Sequence, residues 1–257
     1  MRDHGLQEAI RAVGGIGELA RRLGISQPSV SNWDRVPAER VLSVEQATGV
    51  ARALLRPDLF AAEGRENLDE VDIARAREYA LLATLLGRSP DAALLKRLAQ
   101  LKGDATPLGL AHAALGEAAQ RNEEEGVGRE YFNLFVGLGR GELLPYASYY
   151  LTGFLYERPL ARLRGDLRRF GVEAAPGQSE PEDHAATLCE IMAALVGRET
   201  SAPAGADKDI FDKHLAPWIG RLFTDLERSP TADFYACVGA LGRTFMEIET
   251  EAYGRPA

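Results

Sequence analysis

From Val71 to Tyr253 the sequence is a succession of stretches in which apolar residues recur at helical spacing. Glycines and the pairs Ser89-Pro90, Thr106-Pro107 and Ser229-Pro230 punctuate them, and nothing alternates like a strand. Few folds are open to such a chain. The stretches Ala74 to Leu86, Asp91 to Leu101, Leu108 to Glu124, Phe154 to Phe170 and Ser179 to Val196, then two amphipathic helices within 210–253, predict an all-α bundle. At roughly 190 residues it can bury one core. Trp218, Phe223, Phe234, Tyr235 and Phe245 are expected inside it.

The first sixty residues form a separate pattern. Leu6, Ala9, Ile10 and Val13 keep helical spacing up to Gly14-Gly15, and Ile16, Leu19, Ala20 and Leu23 keep it again up to Gly24. Ser26 then stands as an N-cap with Pro28 just inside the next helix, and Val30 and Trp33 supply that helix's buried face. Two helices, a glycine turn and a third helix make a helix-turn-helix over residues 1–60. Gln27, Ser29 and Asn32 fall where amide and hydroxyl groups can read base edges of double-stranded DNA, and Arg21, Arg22, Arg35 and Arg40 are candidates for phosphate contacts. A small helical interaction domain with a polar surface is the other reading. Residues 61–70, AAEGRENLDE, are polar and lack apolar periodicity, so they read as a linker to the domain at 71–257.

Charge separates the parts. Residues 1–60 carry eight arginines and seven acids, a net of +1, which leaves −9 of the total −8 on the remainder. An acidic body disfavours contact with DNA or anionic membrane and favours a cationic partner. No run approaches the roughly 20 apolar residues that span a bilayer, and MRDHGLQEAI lacks the apolar centre of a signal peptide, so a cytoplasmic protein is expected, with no membrane insertion. Cys189 and Cys237 are the only cysteines and form no C-x-x-C pair, which argues against a disulfide framework or a cysteine-rich metal site. No metalloprotease, nucleophile-elbow or paired-carboxylate pattern appears, so no catalytic residues, no metal and no cofactor are expected. The G-L-G-R-G run at 137–141 follows a helix rather than a strand and lacks the Lys-Ser/Thr ending of a phosphate loop.

Two segments stand out within the body. In EYFNLFVGLGRGELLPYASYYLTG, residues 130–153, Tyr131, Leu134, Phe135 and Leu138 share one helical face, and Gly137, Gly139 and Gly141 end the helix. Pro145, Tyr146, Ser148, Tyr149 and Tyr150 follow. Two readings stand: a packed corner of the core, or an apolar, ring-lined surface with hydroxyls at its margin that grips a peptide. In SEPEDHAATLCEIMAALV, residues 179–196, Pro181 at a helix start puts Glu182, Asp183 and His184 in the first turn, with His184, Leu188, Ile191 and Leu195 on one face. Again two readings stand, a cap with a half-buried histidine, or an acidic edge beside an apolar groove. The arginines at 158, 162, 164, 168 and 169 are expected to be solvated, the acidic run 123–125 to be an exposed helix end, and 202–209 to be a flexible connection.

These residues carry two resemblances. The run from Ala9 to Gly49, with LRPDLF at 55–60, resembles the YdaS-like, Cro-related helix-turn-helix domains of bacterial and phage regulators, which implies that fold, DNA binding and a head compatible with a homodimer. Residues from about 71 to 253 resemble the TorD/DmsD family of molybdoenzyme-specific chaperones. The carriers are Y-F-N-L-F-V-G at 131–137, L-P-Y-A-S-Y-Y at 144–150, E-P-E-D-H at 180–184 and H-L-A-P-W at 214–218. The resemblance implies an all-helical, non-enzymatic chaperone that binds the signal peptide or apoprotein of a molybdenum-containing oxidoreductase, often through a twin-arginine signal, until its cofactor is inserted. By the same resemblance Tyr131, Leu134, Phe135, Pro145, Tyr146, Ser148, Asp183 and His184 are its peptide-binding residues, with tyrosine at 131 and 146 where relatives commonly carry tryptophan. Asp183, with Glu142 or Glu182, is the electrostatic candidate for a cationic leader. The alternative is a transcription regulator whose TorD-like body senses a client peptide or small ligand.

Overall fold

The computed structural model describes residues 3–60, 69–172 and 180–254. It divides into two compact units, Met1–Glu70 and Val71–Ala257. Nearly all of the expected linker, residues 61–68, lies outside the described residues.

In the first unit, α1 (His4–Val13), α2 (Ile16–Leu23) and α3 (Gln27–Ser31) are followed by a 3-10 turn (Ala38–Arg40), α4 (Val41–Thr48), α5 (Arg52–Leu55) and α6 (Pro57–Phe60). Asp3 caps α1 by accepting the Leu6 amide at 3.0 Å, and Ser26 caps α3 by accepting the Ser29 amide at 3.3 Å. Leu6, Leu19, Ala20, Val30, Val36, Val41, Val44 and Leu55 make one small core, with Trp33 packed at its edge. Arg56, which the periodicity does not single out, is buried beneath it: it donates to the Val36 carbonyl at 2.9 Å and forks onto Asp58 at 2.7 Å.

The second unit contains α7 (Glu70–Gly87), α8 (Ala92–Leu98), α9 (Pro107–Arg121), α10 (Glu124–Tyr131), α11 (Ala147–Thr152), α12 (Arg158–Phe170), α13 (Ala185–Val196), α14 (Ala206–Ile210), α15 (Ile219–Arg228) and α16 (Phe234–Gly254). Among the described residues there is no strand, and the chain is all-α. Two single π-helical turns, Phe132–Val136 and Phe211–Leu215, extend α10 and α14. The 21-residue α16 packs on α9, α10 and α15. Its approach to α15 depends on Gly242, where an added Cβ would lie 2.2 Å from the Phe223 ring. Trp218, Tyr79, Tyr235, Phe211, Phe223 and Phe234 fill the interior.

Several boundaries differ from the sequence reading. The helix expected from Phe154 starts at Arg158 instead, because Gly153 turns out of α11 at φ 84° and Phe154 to Tyr156 form an exposed bend. The run 123–125 opens α10 rather than closing α9, and Glu124 reaches back to accept the Ala92 amide at 3.2 Å. Part of 202–209 is helical: Asp207 accepts the Tyr253 hydroxyl at 2.9 Å and Lys208 donates to the Tyr253 carbonyl at 2.6 Å, which pins α14 to the end of α16. Two helices are capped from a distance. Glu130 accepts the amides of Asp233, Phe234 and Tyr235 at the start of α16, at 2.9, 3.2 and 2.6 Å, and Asp183 does the same for α11.

Candidate functional site

Tyr131, Leu134 and Phe135 meet at the first π-helical turn, but most of their surface is turned inward. Leu134 is fully buried. The Tyr131 ring lies 5.1 Å from Phe135 and 5.8 Å from Tyr235, Phe135 lies 5.5 Å from Tyr235, and the Tyr131 hydroxyl donates to the Leu86 carbonyl at 3.3 Å. The three therefore frame the core beside the site, and Leu134 offers a ligand no surface. Leu138 departs from their face altogether: the wider π turn shifts the register, and Gly137 at φ 63° throws the chain outward, leaving Leu138 98% exposed. A side chain at 137 would meet the Arg140 carbonyl at 2.0 Å.

The second and third motif segments interlock. The Ala147 amide donates to the Asp183 carbonyl at 2.9 Å and the Ala185 amide to the Pro145 carbonyl at 2.8 Å, a one-residue bridge between Tyr146 and His184. Ser148, fully buried, donates both its amide, at 2.9 Å, and its hydroxyl, at 2.5 Å, to Asp183 Oδ2. The Tyr146 hydroxyl donates to Glu180 at 2.6 Å, and its ring stands edge-on to His184 at 4.9 Å. Burial, then the Glu180 carboxylate, push the Tyr146 hydroxyl pKa well up, so it stays a donor.

Asp183 and His184 do not lie in the first helical turn as expected. Residues 180–184 form a turn, α13 starts at Ala185, and His184 is its N-cap, with Nδ1 accepting the Ala186 amide at 3.1 Å. Only a neutral imidazole can accept there, and burial lowers the His184 pKa in agreement. Asp183 is 1% exposed and, among the described residues, its Oδ1 has no donor.

Asp183 also lines a cavity of about 460 Å³, walled by Ala147 and Leu151 of α11, by Pro159, Arg162, Leu163, Gly165 and Asp166 of α12, and by Lys213 and His214 of the second π-helical turn. Most of the charges around it are already paired. Asp166 meets His214 Nε2 at 2.8 Å and Arg169 at 3.2 Å, and Lys213 donates to Asp209 at 2.8 Å. Glu182 is engaged by Arg164 at 2.8 Å, which holds its carboxyl below the usual range, and Glu142 accepts the Thr231 hydroxyl at 2.6 Å. Neither is therefore an open receptor for a cation, whereas Asp183 is an acid with an uncommitted oxygen beside apolar walls. Arg162, Asp166 and Lys213 carried no site signal in the sequence; His214 did, as the first residue of H-L-A-P-W.

In the first unit Gln27, Ser29 and Asn32 are all exposed on or just after α3, and the Ser29 hydroxyl is bonded to that of Ser26 at 2.7 Å. The arginines are more committed than their spacing suggests. Glu18 receives Arg21 at 2.6 Å and Arg22 at 2.9 Å, and these bonds pull its pKa down to about 2. Arg35 lies 3.5 Å from Asp58, and Arg40 is exposed. Elsewhere, burial drives the Cys189 thiol up to about 12, which makes it unreactive, and no group of three or more metal-ligating side chains gathers among the described residues. No described helix is long and apolar enough to cross a membrane.

Comparison with known proteins matches residues 101–224 to the family described as nitrate reductase delta subunit, and residues 6–63 to the family described as bacterial toxin YdaS. The chaperone protein TorD of Vibrio cholerae is 24% identical over 192 residues, 71% of this chain and 83% of its own length. That of Shewanella loihica is 24% identical over 204 residues, 70% of this chain and 93% of its own. A solved structure described as a redox enzyme maturation protein, from Archaeoglobus fulgidus, superposes with a TM-score of 0.47 at 19% identity, over 67% of this chain and 93% of its own. The relatives are named as chaperones, not as catalysts. The chain thus joins a head similar to the YdaS family to an all-helical body similar to the TorD chaperones.

Proposed function

We propose that the body is a cytoplasmic maturation chaperone that binds the leader peptide, twin-arginine in type, of a molybdenum-containing oxidoreductase apoprotein. The observation that carries this reading is the cavity beside Asp183. A leader of that kind pairs a cationic start with an apolar middle, and the cavity pairs a buried carboxylate, with Oδ1 uncommitted, with Ala147, Leu151, Pro159 and Leu163. The Pro145–Ser148 and Asp183–His184 segments hold this shape. A body at −6 speeds encounter with a basic leader. Titrating the full chain with leader peptides of the molybdoenzymes of the same genome tests it. Saturable binding of one leader, weakened when its basic residues are replaced and when Asp183 is changed to Asn, is the expected result; no heat with any leader overturns it.

A second reading adds to the first, favoured by the exposure of Gln27, Ser29 and Asn32 around a capped α3. The head binds double-stranded DNA as a dimer, and client occupancy of the body is reported to a promoter. Operator affinity measured with and without saturating leader tests the coupling: a change of several-fold supports it, and equal affinities remove it.

A further inference from the structure

The bend between α11 and α12 holds the densest exposed apolar surface among the described residues. Leu151, Phe154, Leu155 and Tyr156 are all exposed, Phe154 and Tyr156 at 70% and 73%. Tyr156 is held at φ 61°, a left-handed conformation that a tyrosine adopts only under constraint. The residues that follow are basic. Arg164, Arg168 and Arg169 of α12 are engaged by Glu182, the Arg164 carbonyl, and Asp166 with Asp209, whereas Arg158 and Arg162 have no partner among the described residues. Glu157 offsets one of these two charges, so the patch remains positive on a body that is otherwise acidic.

We propose that this bend, from Leu151 to Tyr156 with Arg158 and Arg162, is a second docking surface, for a client segment that pairs apolar anchors with acidic residues. The assignment rests on the reading of the body as a client chaperone, and its sign is opposite to that of the basic leader placed at Asp183. Exposed apolar side chains in such density mark interaction sites, and unpaired guanidinium groups at their edge select carboxylates. Leu151 and Arg162 also line the cavity, so the surface runs into a recess that can take an inserted side chain. That continuity favours a peptide over an anionic bilayer.

The test uses the full chain and two fluorescein-labelled peptides with identical Leu and Phe positions, one with Glu and the other with Gln at every polar position. The Glu peptide is expected to bind about tenfold more tightly than the Gln peptide. Arg158→Glu should erase that preference, and Phe154→Ser with Tyr156→Ser should weaken the Glu peptide while leader binding persists. These positions are exposed, and an unchanged thermal melt confirms folding. Equal affinity for the two peptides, or a preference unmoved by Arg158→Glu, overturns the proposal. So does flotation with phosphatidylglycerol vesicles without Glu-peptide binding, which assigns the bend to lipid. Loss of leader binding with Glu-peptide binding kept would instead fail the leader reading alone.

Discussion

Asp183 accepts two hydrogen bonds from Ser148, 35 positions earlier in the chain, and so caps a helix to which it does not belong. Two segments that look separate in the sequence are one structural unit. Asp183→Ala should cost about 1–3 kcal/mol, because both Ser148 donors are left buried without an acceptor. Asp183→Asn should cost less, since its amide oxygen can still accept. Amide exchange over 147–152 reads the effect directly: α11 should lose protection in the Ala variant before the rest of the body does.

His184 and His112 impose opposite pH dependences. Burial lowers the His184 pKa from its ordinary 6.5, so its contribution is complete above that value and is lost as pH falls below it. The Glu78 carboxylate, 2.9 Å away, raises the His112 pKa, so the stability from that pair is complete below 6.5 and is lost as pH rises through the raised value. His184→Asn should keep the cap and flatten the acid limb of a stability profile. His112→Gln should flatten the limb above 6.5. Urea melts of the body across pH 5 to about 8.5 check both.

Leu134→Ala should act on stability before it acts on any ligand. The side chain has no exposed surface, and truncating it should cost about 2–5 kcal/mol. Chemical denaturation followed at Trp218 measures this. Leu151→Ala, at the exposed wall of the cavity, should leave the melt within about 0.5 kcal/mol and weaken leader binding instead.

In the head, Glu18 holds Arg21 and Arg22 together. Removing it with Glu18→Gln should release both for phosphate contact, so that nonspecific DNA affinity rises and the slope of log affinity against log salt steepens by about one to two. Gln27→Ala with Asn32→Ala should weaken operator binding while leaving nonspecific binding nearly as it was. Fluorescence anisotropy across a salt series separates the two effects.

Helical period and punctuation made the all-α class, the capped third helix of the head and the aromatic core at Trp218, Phe223, Phe234, Tyr235 and Phe245 legible without coordinates. They could not show where side chains spend their hydrogen bonds. Asp183 read as the edge of a helix because Pro181 opens many helices; instead a bridge to Ala147 delays the helix start to Ala185. Leu138 read as sharing the face of Tyr131, Leu134 and Phe135 because the period was assumed to be α-helical throughout, and one π turn is enough to break the register. The cavity was hidden for a different reason: its walls come from α11, α12 and residues 213–214, far apart in sequence, and no local pattern joins them.

The distant cap also sets an order of events during synthesis. A helix of six residues is far too short to persist alone in water, and α11 has no side-chain cap within its own segment. It gains its acceptor only when Asp183 has left the ribosome, and Asp183 is itself fixed by the start of α13. A nascent chain stalled before that point therefore has neither the cavity nor Tyr235, against which Tyr131 and Phe135 pack.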